Sequence, residues 1–297
     1  MPSIRALLKA FDNVDPPPNR QKAVTPRLLR GMHARAAKFG RDSLEAVVSD
    51  LAILAFFFAM RSCEFVSVPI PGRTKLLSVR SLQFWDSNHR PLPYNSTKLA
   101  SQATRISVTF THQKNAIKND TRTQERTGDP ILCPLRAATS IISRLRRSFE
   151  RVTPSTPLNM AMVSGVRTQA TQQLLAQQLR QTCADLGGAS KLGYSPSDIG
   201  TKSIRSGAAM ALFLHNHPVS RIMILGRWSS DAFLAYIRPQ VLEWTNNMSR
   251  DMIALDNFFH ISNPPPTNRT DQDTQRAPYS SFTGPSNLLV PKLHLFH

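Results

Sequence analysis

Two segments far apart in the sequence each place a pair of charged side chains three residues apart. The first segment holds Arg61 and Glu64, and the second holds Lys202 and Arg205. Residues at this spacing lie on one side of a helix, so each segment can present its pair together. Arginine binds two phosphate oxygens with its planar fork and keeps its charge, and lysine can deliver a proton. These residue types predict a phosphate site.

A tyrosine follows these pairs, in the segment 225–239, which reads LGRWSSDAFLAYIRP. Tyrosine is an effective nucleophile when a nearby cation or base helps to remove its proton. Taken alone, Tyr236 could equally be a packing residue, but the two upstream pairs favour the nucleophile. We therefore expect Tyr236 to attack a phosphodiester of DNA.

The composition favours a polyanionic partner. The chain of 297 residues has 37 Lys and Arg against 19 Asp and Glu, a formal net charge of +18. Nucleic acid is the commonest partner of so basic a protein, and a merely basic surface of the ribosomal-protein type is the alternative. Its cysteines, Cys63, Cys133 and Cys183, do not have zinc-ligand spacing. The sequence also contains no phosphate-binding glycine loop and no carboxylate cluster of the DNA-polymerase type, so we expect neither ATP nor a metal nor another cofactor.

Membrane insertion is not expected from the sequence. The most apolar stretch, 51–60, is shorter than the about 20 residues that a membrane-spanning helix needs. The first ten residues do not have the pattern of a signal peptide. We therefore expect no membrane partner and an intracellular location.

The elements that must position the charged pairs are predicted to be mainly helical. Thr25 caps one helix, with Pro26 in its first turn, and an apolar helix starts at Asp42 or Ser43 and ends near Arg61. Further helices are predicted for 134–150, 168–186, 201–215, 219–225 and 239–259. Thr201 or Ser203 is expected to cap the helix that carries the second charged pair.

Residues 66–126 are predicted to form a small antiparallel sheet. Alternation and β-branched residues indicate strands at 76–85 and 105–111, and 113–120 is a polar hairpin tip that carries Lys114. The predicted fold class is therefore α+β, mainly α-helical. A remnant helix and a proline-rich linker occupy 1–22, the main domain occupies 23–261, and the polar tail 262–297 is predicted to be disordered.

Four arginines gather at the end of the predicted helix 134–150. They are Arg144, Arg146, Arg147 and Arg151. Such a cluster is either a solvated face or a face that contacts phosphates, and the net charge makes the two interpretations comparable.

The order of the charged groups along the chain resembles that of the tyrosine recombinase (phage integrase) family, over roughly residues 25–260. The final segment is especially similar to recombinases carried by eukaryotic mobile elements. The matching positions are, in order, Arg61 and Glu64, Lys114, Lys202 and Arg205, Gly226 to Trp228, and Tyr236.

The resemblance implies the catalytic-domain fold of that family and a role for the matched residues. Arg61 and Arg205 would hold the scissile phosphate, with Glu64 supporting Arg61 or the folded site. Lys114 would be the general acid. Tyr236 would form a 3′-phosphotyrosyl bond and release a 5′-hydroxyl, without metal or ATP.

Two matched positions depart from the usual family pattern. Lys202 stands where recombinases usually have histidine and where type IB topoisomerases have lysine. Trp228 is predicted to donate its indole N–H to a phosphate oxygen, but Arg227 could fill the same position. Family members also carry an N-terminal helical clamp domain, of which only residues 3–11 are expected to remain here.

The resemblance implies a site-specific recombinase or integrase-like enzyme that cleaves and rejoins double-stranded DNA. It further implies a homo-oligomer on DNA, in the nucleus of a eukaryote or otherwise in the cytoplasm or nucleoid. Two alternatives stay open. One is a catalytically inactive DNA-binding remnant of a mobile element, and the other is a type IB topoisomerase-like activity, which Lys202 favours.

Overall fold

The structure is a computed structural model that describes residues 21–69, 74–112, 119–228, 250 and 252–254. All of them belong to the unit Met1–His260. Two predicted site residues, Lys114 and Tyr236, lie outside the described residues. The same holds for the predicted remnant helix, most of the helix 239–259 and the predicted tail, so the proposed domain boundaries stay predictions.

Helices account for more of the described residues than strands do. The helices are α1 (Pro26–Ala37), α2 (Leu44–Phe57), α3 (Ser62–Phe65), α4 (Leu99–Gln102), α5 (Pro134–Ser148), α6 (Gln172–Asp185), α7 (Gly188–Leu192), α8 (Ser203–Leu214) and α9 (Val219–Gly226), with single 3₁₀ turns at Val79–Ser81 and Pro196–Asp198. The strands are β1 (Leu82–Trp85), β2 (Pro91–Leu92), β3 (Arg105–Phe110), β4 (Asp120–Glu125), β5 (Met160–Val163) and β6 (Val166–Gln169). This mixture, with a small antiparallel sheet, agrees with the predicted α+β class.

The apolar helix α2 runs through the centre of the core. Every residue of α2 from Val47 onward is buried, as expected of a helix that is apolar on all sides. It packs against α1, α5 and α8. Its one buried charge, Asp50, binds both Arg144 and Ser140 of α5. Arg144 is therefore a core residue and belongs neither to a solvated face nor to a phosphate-contacting face, so both interpretations of the cluster are wrong for this arginine.

The predicted starts of α1 and α2 are confirmed, but the predicted end of α2 is wrong. Thr25 and Ser43 both cap their helices with side-chain hydroxyls. Helix α2 ends at Phe57 rather than near Arg61, because Ala59 adopts a left-handed conformation with φ of 45°. The N–H of Met60 donates to the carbonyl of Ala55 at 2.9 Å, the bond that closes a Schellman motif.

The small antiparallel sheet is confirmed, with strand order β2-β1-β3-β4. Strands β3 and β4 form a hairpin that pairs Phe110 with Asp120. The strand predicted for 76–85 is shorter, because Val79–Ser81 forms a 3₁₀ turn and only β1 continues into the sheet.

Two helix starts differ from the predictions. Helix α6 begins at Gln172 and not at 168, because residues 166–169 form β6, which pairs with β5 in a hairpin. Helix α8 begins at Ser203 with Lys202 at the N-cap and without a side-chain cap. The hydroxyl of Ser203 instead accepts the N–H of Gly200 at 3.0 Å.

The segment 21–25, which precedes α1, runs along the N-terminal half of α8. The N–H of Lys22 donates to Asp198 O at 2.8 Å, and that of Val24 to Ser203 O at 2.9 Å. A Cβ at Gly207 would lie 2.2 Å from the carbonyl oxygen of Val24. Glycine at this position therefore lets the two backbones approach. Within the described part of the chain, no helix is both long and apolar enough to cross a membrane.

We expect Gly207→Ala to lower the free energy of unfolding by about 1–3 kcal/mol, because the added methyl group meets backbone rather than a side chain that can rotate away. Gly31→Ala is the matched control. There the new Cβ would meet the side-chain ends of Leu186 and Thr182, and the higher helix propensity of alanine offsets the crowding. Thermal and urea denaturation measure both variants. Equal stability losses would contradict a specific role for the Val24 contact.

Candidate active site

The last carbonyl groups of α2 and the turn after it are bound by side chains from distant segments. A helix leaves its final carbonyls without helical partners, and the helix dipole makes this end attractive to cations. Three consecutive carbonyls accept one side chain each. The contacts are Gln124 Nε2 to Phe57 O at 2.7 Å, Arg227 Nη1 to Phe58 O at 3.2 Å, and Arg205 Nη1 to Ala59 O at 2.8 Å.

Arg61 and Glu64 follow directly, at the ends of the one-turn helix α3. Glu64 Oε2 accepts the backbone N–H of Arg61 at 2.8 Å, in the manner of a capping-box glutamate. Glu64 Oε1 accepts Arg61 Nη1 at 3.2 Å. The glutamate side chain is 1% exposed, whereas that of Arg61 is 22% exposed. The carboxylate therefore lies inside the protein and supports a guanidinium that reaches its surface.

Arg227 binds the same carboxylate from the opposite part of the chain. Its Nη2 donates to Glu64 Oε2 at 2.7 Å, and its side chain is fully buried. The guanidinium carbon lies 3.5 Å from the ring centroid of Phe110 at the end of β3. Burial lowers the pKa of Arg227 to about 10, while the Glu64 carboxylate opposes this shift. The side chain is therefore still protonated at neutral pH.

Arg205 connects α8 to the turn at the end of α9. Besides Ala59 O, it donates through Nη2 to the carbonyl of Gly226. Its guanidinium carbon lies 4.2 Å from the ring centroid of the half-buried Trp228, a distance typical of cation–π contacts. A Cβ at position 226 would lie 1.6 Å from a ring carbon of Trp228. Only glycine there leaves room for the indole.

The structure thus brings four predicted site residues to the end of α2. They are Arg61, Glu64, Arg205 and Trp228. Lys202 is exposed at the N-cap of α8, one turn before Arg205, and its backbone N–H donates to the Gln21 side chain at 3.1 Å.

Three further side chains take part in the site, and two of them, Gln124 and Arg122, were not predicted. Gln124 and Arg227 hold the end of α2, and Arg122 donates through Nε to the carbonyl of Ile224 in α9 at 2.7 Å. Arg122 also pairs with Asp120 at 3.0 Å. Only Arg227 had a signal in the sequence, as one of two neighbouring residues that could fill a single family position. The structure separates them, since Arg227 points into the core and Trp228 contacts Arg205.

The chain matches no protein-family model and no curated protein. The described residues also contain no group of three or more His, Cys, Asp or Glu side chains that could hold a metal ion.

The chemical capacity of the site follows from its charges. Three arginines and one carboxylate lie at the end of α2, so the site is positively charged. Two of them, Arg61 and Arg205, are only partly buried, whereas Arg227 is enclosed. Fixed guanidinium groups are suited to stabilising negative charge that develops on phosphate oxygens.

We expect Arg205→Lys to lower the free energy of unfolding by about 2 kcal/mol, because an ammonium group cannot bridge two carbonyls and stack on an indole as a planar guanidinium does. Arg221→Lys, at an exposed position of α9, is the matched control and should leave stability within about 0.5 kcal/mol. Chemical denaturation provides both values. If Arg205→Lys leaves the free energy of unfolding unchanged, the two carbonyl contacts do not hold α8 and α9 together.

Proposed function

We propose that this protein is a tyrosine recombinase-like enzyme that cleaves and rejoins double-stranded DNA through a 3′-phosphotyrosine at Tyr236. The observation that carries the proposal is the convergence of Arg61, Arg205 and Trp228 at the end of α2. These residues come from three separate segments, and the family resemblance assigns all three to one phosphate. The net charge of +18 supports a nucleic-acid partner.

In the proposed reaction, the Tyr236 hydroxyl gives its proton to solvent water and its oxygen attacks the scissile phosphorus. The bond from phosphorus to the 5′ oxygen breaks, and a lysine protonates that oxygen to give a 5′-hydroxyl. Arg61, Arg205 and the Trp228 indole would stabilise the charge on the non-bridging oxygens; losing one such donor typically lowers the rate by about 10²–10³. The exchange of one phosphodiester for another lets a second 5′-hydroxyl reverse the reaction.

The family resemblance further implies a fold, an assembly and a cellular location for this protein. The fold would be the catalytic domain of tyrosine recombinases, and the enzyme would act as a homo-oligomer on DNA. It would work in the nucleus of a eukaryote, or otherwise in the cytoplasm or nucleoid. The activity would belong to DNA recombination and integration by a mobile element.

Tyr236→Phe should abolish covalent protein–DNA adducts while leaving salt-sensitive DNA binding intact, because only the nucleophilic oxygen is removed. The substrate is a nicked duplex library of randomised sequence, in which loss of a short cleaved fragment traps the adduct. Denaturing gels detect the adduct, and filter binding measures affinity. Tyr94→Phe is the matched control and should retain adduct formation, because the Tyr94 hydroxyl donates to Val152 O, away from the candidate site. If the wild-type chain binds DNA and forms no adduct on any member of the library, it is an inactive DNA-binding remnant.

A sulfur leaving group can identify the general acid. Lys114→Ala should slow cleavage of ordinary DNA by about 10²–10⁴, the usual contribution of a positioned acid. With sulfur in place of the 5′ bridging oxygen, the leaving thiolate needs no proton because thiols have a pKa near 8.5, so cleavage should return to nearly the wild-type rate.

The same two substrates test Lys202→Ala. If Lys202 binds phosphate and is not the general acid, this variant should cleave both substrates slowly. Lys191→Ala, at an exposed position of α7, serves as the control for loss of a positive charge. Rescue by sulfur in Lys202→Ala and not in Lys114→Ala would transfer the acid role to Lys202.

A further inference from the structure

Arg227 combines three features that are each unfavourable by themselves. Its side chain is a buried charge with 0% exposure. Its backbone is left-handed, with φ of 58°, a conformation that costs a side-chain-bearing residue free energy. Its Nε has no hydrogen-bond partner among the described residues. Such a combination persists only where the surrounding structure requires it.

The left-handed conformation has a local purpose, because it ends α9 and sets the direction of the next residue. The N–H of Trp228 donates to Met223 O at 3.0 Å, and that of Arg227 to Ile224 O at 3.3 Å. These bonds close the helix end, and Trp228 then lies against Arg205. Arg227 is thus the residue at which the chain turns toward the candidate site.

The buried charge has an electrostatic purpose. Glu64 contacts only two cationic side chains in the described part of the chain, Arg61 and Arg227. If Arg61 were its sole counter-charge, the pair would be neutral and Arg61 would attract an anion weakly. The neighbouring Asp120 is already paired with Arg122. Arg227 therefore supplies the charge that balances Glu64.

We propose that Arg227 is a positioning residue that neutralises Glu64, so that Arg61 keeps its positive charge for a phosphate, and that directs Trp228 to Arg205. The inference rests on the proposed function in taking that phosphate to be the backbone of double-stranded DNA. It assigns Arg227 a role behind the site rather than in contact with the phosphate.

For substitutions at Glu64 and Arg227, charge balance and protein stability lead to opposite predictions for the affinity for duplex DNA. Arg227→Met leaves Glu64 to cancel Arg61 and should weaken duplex binding about tenfold. Glu64→Gln removes the negative charge and should tighten duplex binding severalfold, although it leaves a buried arginine without its counter-charge and lowers the unfolding midpoint. The double variant should bind within about threefold of the wild-type chain. Arg227→Lys should lose stability but keep its affinity.

The test measures fluorescence anisotropy of a labelled duplex of randomised sequence, below the lowest unfolding midpoint, with circular dichroism confirming the folded state. The matched control is the buried pair Asp50 and Arg144, which lies in the packing of α2 on α5. Arg144→Met should lower the unfolding midpoint as Arg227→Met does and leave duplex affinity unchanged.

Two outcomes overturn the inference in distinguishable ways. In the first outcome, Arg61→Ala weakens duplex binding, but the duplex affinities of the Glu64 and Arg227 variants rise and fall with their unfolding midpoints. Arg227 is then structural only, and the proposed function stands. If Arg61→Ala leaves duplex binding unchanged, the site does not bind DNA phosphate, and the proposed function and this inference both fail.

Discussion

The last carbonyl groups of a buried helix need hydrogen-bond donors, and the candidate site is built around this requirement. The end of α2 lies in the core, where an unpaired carbonyl costs about 1–3 kcal/mol. The donors come from β4, α8 and the turn after α9. Because two of the three donors are arginines, satisfying the backbone also gathers positive charge at one place. Folding and the assembly of the site are therefore the same event.

The buried carboxylate of Glu64 is the second constraint. A lone buried carboxylate is strongly unfavourable, so it must be paired. One partner, Arg61, is adjacent in sequence and partly exposed, and the other, Arg227, is distant and enclosed. The pairing joins α3 to the turn after α9 across 163 residues of sequence separation. It also leaves the surface-facing arginine with charge to offer to an anion.

Local signals in the sequence predicted the features that depend on a few neighbouring residues. The caps at Thr25 and Ser43, the helix that begins at Pro134, and the hairpin of β3 and β4 were all predicted correctly. The end of α2 was not, since its apolar run continues past Phe57 and the stop depends on donors from far away. Arg227 and Trp228 could not be distinguished either, because Arg227 itself adopts a left-handed conformation, and this turn decides which of the two side chains faces the core.

The side chains bound at the end of α2 also anchor the described residues next to the two segments that carry Lys114 and Tyr236. Lys114 lies in sequence between Phe110 and Asp120. Phe110 packs under the Arg227 guanidinium, and Asp120 pairs with Arg122, which binds the carbonyl of Ile224 in α9. Trp228, which contacts Arg205, precedes Tyr236 in the sequence. The hairpin and the turn after α9 therefore share their anchors, so a shift of one would strain the other. In the proposed reaction Lys114 and Tyr236 must meet one phosphate, and shared anchors would favour this.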